Sequence, residues 1–405
     1  MPQSFENARA LILAHIAPLT GETVPLLDAV GRVLEREFAA PYDLPRFANS
    51  AMDGYALRAA DARPGARLRV TGYIPAGGRA EPAVAVGCAV RIMTGAPIPP
   101  GGDTVIPVEE TDGGLAEVVL QGSATPGDHI RRRGEDISTG SLVLAAGTLL
   151  RPAEISLLAS CGRTRVSVHR RPKVAILSTG DELVEPGTEL SPETIVDSNS
   201  WALAAAVREV GAEPALLGIA RDNHASLREK LRLGLTADAL ITSAGVSAGD
   251  RDLVREVLEE LGVRPLFWKI DIKPGRPTAF GLAGKIPVFS LPGNPVSSLL
   301  TFDTFVRPAL LKMLGHRQVL RPLLQATLQA PVAKKAGRVH FLRVRVGRVN
   351  GHLTAISAGD QNTGILSTLL HANGVAVLPA ERENFAAGET VDIHLFEPEL
   401  APAEA

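Results

Sequence analysis

The sequence predicts a multidomain α/β-plus-β chain, with a doubly wound parallel sheet in residues 171–315 and β-rich segments on either side. Three observations carry this. Between Val174 and Leu314, strand-like apolar runs alternate with helical patterns, the order that builds a parallel sheet covered on both faces. Residues 24–150 hold short Val/Ile/Leu runs separated by Gly and Pro, which suits small β modules rather than βαβ units. Residues 322–400 return to period-two alternation, with Asn350-Gly351 as a hairpin signal between two runs.

The elements follow in chain order. Phe5, Ala8, Leu11, Ile12 and His15 share one face at helical spacing, and Pro18 follows, so residues 3–16 read as a helix with His15 a packed or half-exposed member. Leu68 to Ile74, Ala89 to Met93, Thr104 to Val108, Glu117 to Leu120 and Leu142 to Leu144 read as strands. Asp53-Gly54 and Thr94-Gly95, taken singly, are ordinary turns, and Arg131-Arg132-Arg133 beside Glu135 and Asp136 reads as a solvated or ion-paired loop. Val174 to Leu177 is a continuous apolar run, as in a strand buried on both faces. Ala215 to Ile219, Ala239 to Thr242, Leu266 to Trp268 and Ile286 to Phe289 are further strands. Helices are expected over 199–210, 225–235, 252–261 and, as one long element, 296–314. In the last segment Leu342, Val344 and Val346 alternate with Arg343 and Arg345.

Bulk properties exclude several classes. At 405 residues the chain is long enough for about two to four domains. Aromatics are 4%, so the cores must be aliphatic. A net charge of −2 argues against general affinity for nucleic acid or anionic membrane, so basic features are local. Cys88 and Cys161 form no zinc pattern and no disulfide framework. The first residues lack a basic n-region and a cleavage site, and no apolar run reaches membrane-spanning length; the reading is of a cytoplasmic protein.

The chemistry gathers at one sheet edge. Strands in 171–315 deliver Asp181 and Glu182, then Asp222, then the Gly/Ser loop Ser243 to Asp252, and finally Pro292-Gly293-Asn294-Pro295 to their carboxyl ends, where open α/β sheets bind ligands. A Gly/Ser turn leading into a helix offers backbone N–H groups to phosphate. Lys269, Lys273 and Arg276 add fixed cations. Acids beside phosphate require a divalent cation between them, which suits Mg²⁺. The pattern implies metal-assisted chemistry at a phosphate or pyrophosphate. No GxxxxGK[ST] loop, GxSxG elbow or HExxH motif is present.

The ordered motifs NSAMDGYA, RIMTGA, GEDI, STGDEL, SAGVSAGDRD, FWKIDIKPGRP and LPGNP resemble the molybdopterin molybdenumtransferase family, the MoeA type that includes the E domain of gephyrin. The resemblance runs along essentially the whole chain. It implies a homodimer whose subunit has an N-terminal helix (1–20), a connecting domain (21–45 and 141–170), an inserted β-rich domain (46–140), a molybdopterin-binding α/β domain (171–320) and a C-terminal β-barrel (321–405). The implied activity is Mg²⁺-dependent transfer of molybdate onto adenylylated molybdopterin, with release of AMP. Other proteins of molybdenum cofactor biosynthesis are implied partners. The motif positions carry over as catalytic Asp53, Thr94, Asp136, Glu182, Asp252, Lys269 and Lys273. Asp222, Ser243, Gly245, Ser247, Gly249, Pro292, Gly293, Asn294, Pro295, Arg343 and Thr363 carry over as substrate-binding. Glu182, Asp252, Asp53 and Asp136 carry over as metal ligands, and Lys269, Lys273 and Arg343 as the molybdate end of the site.

Four positions depart from the family pattern. Ala244 stands where a glycine is usual, Arg276 where lysine is common, and Ala48 where a polar residue is frequent, beside Thr363 at a usual serine; Ala244 costs something if positive φ is needed there. Asp53, Thr94 and Asp136 lie far in sequence from the α/β loops, which suggests a dimer in which one subunit's inserted module caps the other's cleft. Two other readings stand beside the transferase: an adenylyltransferase of the same α/β fold, and a gephyrin-like scaffold.

Overall fold

A computed structural model describes residues 3–244 and 253–396. The chain divides into two compact units, one of residues 1–35, 147–151 and 165–405, the other of 36–146 and 152–164.

The second unit is built on a five-stranded sheet in the order Thr104–Pro107, Gly54–Leu57, Cys88–Ile92, Arg67–Ile74, Glu117–Val119. Successive residues alternate across it. Tyr55, Leu57 and Ile106 pack in one apolar cluster, and Ala56, Val90 and Val105 in another, so both faces are covered. Asn49–Ser50 pairs separately with Ile130–Arg131. Phe38–Ala39 pairs with Leu142–Leu144, and helix Pro152–Ser160 completes the unit. The triple arginine is partly ion-paired, but across the chain: Arg133 Nε donates to Asp43 rather than to the neighbouring acids.

The first unit contains the α/β sheet and the barrel. Strands Glu213–Ala220, Lys173–Thr179, Ala239–Ser243 and Ile286–Leu291 run parallel in that order, as expected of a doubly wound sheet. Two further strands, Ala279–Ala283 and Arg264–Phe267, extend it antiparallel. The first of these is absent from the sequence reading, because AFGLA carries no β-branched residue and a central glycine. Val174 and Ile176 pack with Leu203 and Val207 of helix Asn199–Glu209 on one face. Ala175 and Leu177 pack with Leu227 and Leu231 of helix His224–Gly234 on the other. The long C-terminal helix is interrupted: α-helix Pro295–Thr301 passes through a π-helical turn, Phe302–Val306, into Arg307–Met313.

Strands Val339–Val349, His352–Ser357, Leu324–Leu328, Thr390–Leu395 and Gly374–Leu378 close into a five-stranded barrel. Leu342, Val344, Val346 and Ile393 fill it. Asn350 and Gly351 take the positive φ values of a two-residue hairpin turn. The outer side of the barrel belongs to the α/β core: Phe341 and Val375 join that cluster, and the Phe341 ring lies 5.1 Å edge-on from Phe5 of the N-terminal helix Phe5–Ala14. Ser4 caps that helix by accepting from the Asn7 N–H. Ile272–Lys273 leaves the α/β domain to pair parallel with the start of the barrel strand at Val339–His340.

Candidate functional site

The parallel strands end at a cleft of about 500 Å³ within the first unit. Its wall includes Glu182, Asp197, Asn199, Ser243, Ala244 and the Pro292–Pro295 turn. Two helices, Asn199–Glu209 and Pro295–Thr301, begin in this wall, so N–H groups without helical partners lie at its edge.

Asn199 organises the cleft. Its Nδ2 donates to Ser243 Oγ at 2.8 Å and to the Gly293 carbonyl at 2.7 Å. Beneath it the carboxylate of Asp197, 2% exposed, accepts from Ser178 Oγ at 3.0 Å, from the Ser200 N–H at 3.1 Å and from Ser200 Oγ. The sequence reading missed both Asp197 and Asn199. The signal was there in Asp197-Ser198-Asn199-Ser200, a run of capping residues directly ahead of a helical pattern.

Ala244 has φ +73, so the position usually filled by glycine does hold a left-handed residue. Its Cβ also sets the fit of the opposite loop, since a Cβ on Gly293 would lie 3.2 Å from it. One step further, Asn294 Nδ2 donates to Thr363 Oγ1 at 3.0 Å, joining two expected site residues across the α/β and barrel domains.

The acids sit on their own loop. Arg221 donates to the carbonyls of Asp181 and Leu183 at 3.0 and 3.1 Å, holding the loop by its backbone and leaving its carboxylates uncompensated. Glu182, Asp181 and Asp222 have no ion pair among the described residues. Burial and the neighbouring charges of Asp181 and Glu182 push the Asp222 carboxyl up, while the Asp222 N–H donates to Asp181. The Glu182 carboxylate folds back over Gly180, where φ is +151 and a Cβ would come within 2.5 Å of it. Among the described residues no group of three or more His, Cys, Asp or Glu side chains is clustered to hold a metal.

Several expected residues lie elsewhere. Lys269, Lys273 and Arg276 are exposed and absent from the wall of this cleft, whose described lining has no lysine or arginine. The lysines therefore do not form its cationic wall. Lys273 is in register with His340 of the barrel, whose buried imidazole is pushed down to about 4 by burial and by Lys273, Lys334 and Arg343. Arg343 is fully buried instead of facing an anion, and donates to the carbonyls of Asp360 and Asn362 at 2.7 and 3.2 Å. It braces the loop that carries Thr363. Gly245, Ser247, Gly249 and Asp252 lie outside the described residues.

Asp53, Thr94 and Asp136 belong to the other unit. Asp53 Oδ1 accepts from both the N–H and the hydroxyl of Thr94, each at 2.7 Å, and these bonds hold its carboxyl below the usual range. Asp136 lines an open depression with Asn49, Arg131 and Glu135; Asp53 and Thr94 are not among its lining residues. The four expected metal ligands are thus divided: Glu182 in the first unit, Asp53 and Asp136 in the second, and Asp252 undescribed.

Known proteins resemble this chain throughout. The MoeA N-terminal region (domain I and II) matches residues 3–162, a probable molybdopterin binding domain matches 175–312, and the MoeA C-terminal region (domain IV) matches 325–396. Molybdopterin molybdenumtransferase 2 of Mycobacterium tuberculosis is 40% identical, covering 96% of this chain and 98% of its own length. The chain belongs to the molybdopterin molybdenumtransferase family. The Haemophilus influenzae molybdopterin molybdenumtransferase is 38% identical over 97% of this chain and 98% of its own. Among solved structures, the molybdopterin biosynthesis MoeA protein of Pyrococcus horikoshii superposes with a TM-score of 0.85 at 32% identity, covering 98% of this chain and 100% of that one. Membership in this family agrees with the α/β domain, the β-rich region and the closed barrel seen here. No helix among the described residues is long and apolar enough to cross a membrane.

Gly293→Ala should destabilise the first unit by about 1–3 kcal/mol through crowding against Ala244. Ala244→Gly alone should change stability by less than about 1 kcal/mol, because relief of the left-handed strain is offset by added unfolded-state freedom. Combined, the two changes should be less harmful than their sum, and denaturation midpoints of the four proteins would show additivity if the contact is immaterial. In the second unit, Thr94→Val should raise the Asp53 carboxyl towards its ordinary value, with the backbone donor limiting the rise. Because the folded value is depressed, Asp53 stabilises the fold above the ordinary carboxylate range and loses that contribution as pH falls through the folded value. NMR titration of the Asp53 carboxyl in both proteins measures the shift; an unmoved titration would sink the assignment.

Proposed function

We propose that this enzyme inserts molybdate into adenylylated molybdopterin, releasing AMP and forming molybdenum cofactor. What supports the reading is that the similarity spans all three family regions, while the α/β domain alone ends in a polar cleft bounded by two helix starts. An adenylyltransferase of the same α/β fold would account only for residues 175–312, so that reading is not favoured. The scaffold reading likewise gives no purpose to the cleft.

The residues divide the work by charge. Helix starts at Asn199 and Pro295 suit the phosphate oxygens of the substrate. Lys269 and Lys273 are exposed and in no ion pair among the described residues, which leaves them available to the molybdate dianion. Arg343 would act on the same anion indirectly, by fixing the loop of Thr363. Mg²⁺ keeps several waters and needs only one or two carboxylates beside substrate phosphate, so the unpaired Glu182 of the cleft wall suits it without a preformed cluster. Glu182 and Asp252 would hold it from the α/β domain, with Asp53 and Asp136 as the carboxylates of the β-rich unit. Mg²⁺ when bound supplies charge neutralisation at the pyrophosphate. Catalysis is then mainly positioning and electrostatic complementarity.

We propose further that the active species is a cytoplasmic homodimer, with Asp53 and Asp136 of one subunit serving the α/β cleft of the other. It would exchange substrate and product with other proteins of the same biosynthesis.

The central test incubates the protein with adenylylated molybdopterin, molybdate and Mg²⁺ and follows AMP and cofactor together. Both should appear in equal amounts and only when molybdate and Mg²⁺ are present; ATP consumption without molybdate would overturn the proposal. In the same assay Lys273→Ala should raise the molybdate requirement about tenfold to a hundredfold, the usual worth of a charged hydrogen bond, with pterin binding little changed. Mixed dimers of Asp53→Ala and Lys273→Ala subunits should recover activity above either parent; no recovery would rule out a shared site.

A further inference from the structure

The side chain of Asn199 is chemically one-sided. A carbonyl can only accept, so the contact with the Gly293 oxygen identifies the donating atom as Nδ2 and fixes the orientation of the amide. The second hydrogen of that nitrogen goes to Ser243 Oγ. Both donors are therefore spent inside the protein, and Oδ1 has no hydrogen-bond partner among the described residues. Asn199 lines the cleft, so what it still offers a ligand is an acceptor.

The neighbouring side chains reinforce this bias. The ionisable groups of the described wall, Glu182 and Asp197, are both acids. A phosphate or molybdate oxygen, itself an acceptor, gains nothing from the Asn199 amide oxygen or from these two carboxylates. A flat heterocycle that carries N–H groups on one edge does.

We propose that Asn199 is a specificity-determining residue for the ring end of the substrate, its Oδ1 accepting a hydrogen bond from the 2-amino group of the pterin. This rests on the molybdopterin reading above and adds the group that reads the ring. The rigidity needed for such reading comes from below: Asp197 ties Ser178 and Ser200 together, so the start of the helix that carries Asn199 cannot shift without breaking a buried network. A 2-oxo ring in place of the 2-amino ring would set oxygen against oxygen at this position.

The experiment measures binding of three probes to the full-length protein by calorimetry: a pterin, the corresponding lumazine with oxygen in place of the 2-amino group, and AMP. Wild type should prefer pterin to lumazine by about tenfold to a hundredfold, as expected when a polar group is left unpaired. Asn199→Ala should reduce that ratio to near one, with AMP binding falling by a smaller factor than pterin binding. Loss of pterin and lumazine binding in equal proportion would reduce Asn199 to a clamp and overturn the proposal. So would selective loss of AMP binding, which would make adenine the ring that is read. The wild-type ratio needs no variant, so a poorly folding Asn199→Ala protein does not rescue the idea: a wild-type ratio near one refutes it. Failure of wild type to bind any pterin would instead overturn the molybdopterin reading, and this inference with it.

Discussion

The forked hydrogen bond from Asn199 to Ser243 and Gly293 holds the cleft in shape. It joins three strand-to-helix connections that are far apart in sequence, and it does so from the start of a helix anchored by the buried Asp197 network. Loss of either partner would leave a half-buried polar group unpaired, so the fork couples the three loops. The linkage continues outward. Gly293 leads to Asn294, Asn294 to Thr363, and the Thr363 loop to Arg343, whose guanidinium is enclosed by that loop. The barrel is thereby coupled to the cleft through the backbone of the Pro292–Pro295 turn, while Phe5 and Phe341 supply the apolar contact behind it.

Charge on the loops at the cleft edge is left unpaired, unlike the rest of the first unit, where Arg170 pairs with Asp238 and Arg321 with Asp303. Arg221 spends its guanidinium on carbonyls, and burial, with the neighbouring charges of Asp181 and Glu182, raises the Asp222 carboxyl. Lys273 meets a buried histidine that its own charge helps to keep neutral. The second unit is different. Asp53 is held down by the N–H and hydroxyl of Thr94, but the same arrangement recurs at Asp43 with Thr139 and at Asp128 with Thr125. That geometry by itself is a turn-building device, so a special role for Asp53 has to come from what else approaches it.

The sequence alone determined the periodic elements and the edge at which polar loops collect. Apolar runs such as Val174 to Leu177 and helical faces such as Leu203 with Val207 are set by the spacing of burial, and spacing is written in the chain. The departure from the family pattern marked Ala244 as costly if positive φ is needed there, and only the fold, with φ +73, met that condition. Tertiary structure decided what depends on partners from elsewhere. Arg343 alternates with apolar neighbours and reads as an outward cation, yet a loop 17 residues later covers it. Arg133 pairs with Asp43, 90 positions away, in preference to acids beside it. The strand Ala279–Ala283 exists because Ile286–Leu291 gives it a hairpin partner, not because its residues favour extension. Asn199 became a reader of hydrogen-bond donors only when folding consumed both of its own, since hydrogen-bond capacity is a property of the residue but what remains of it is a property of the fold.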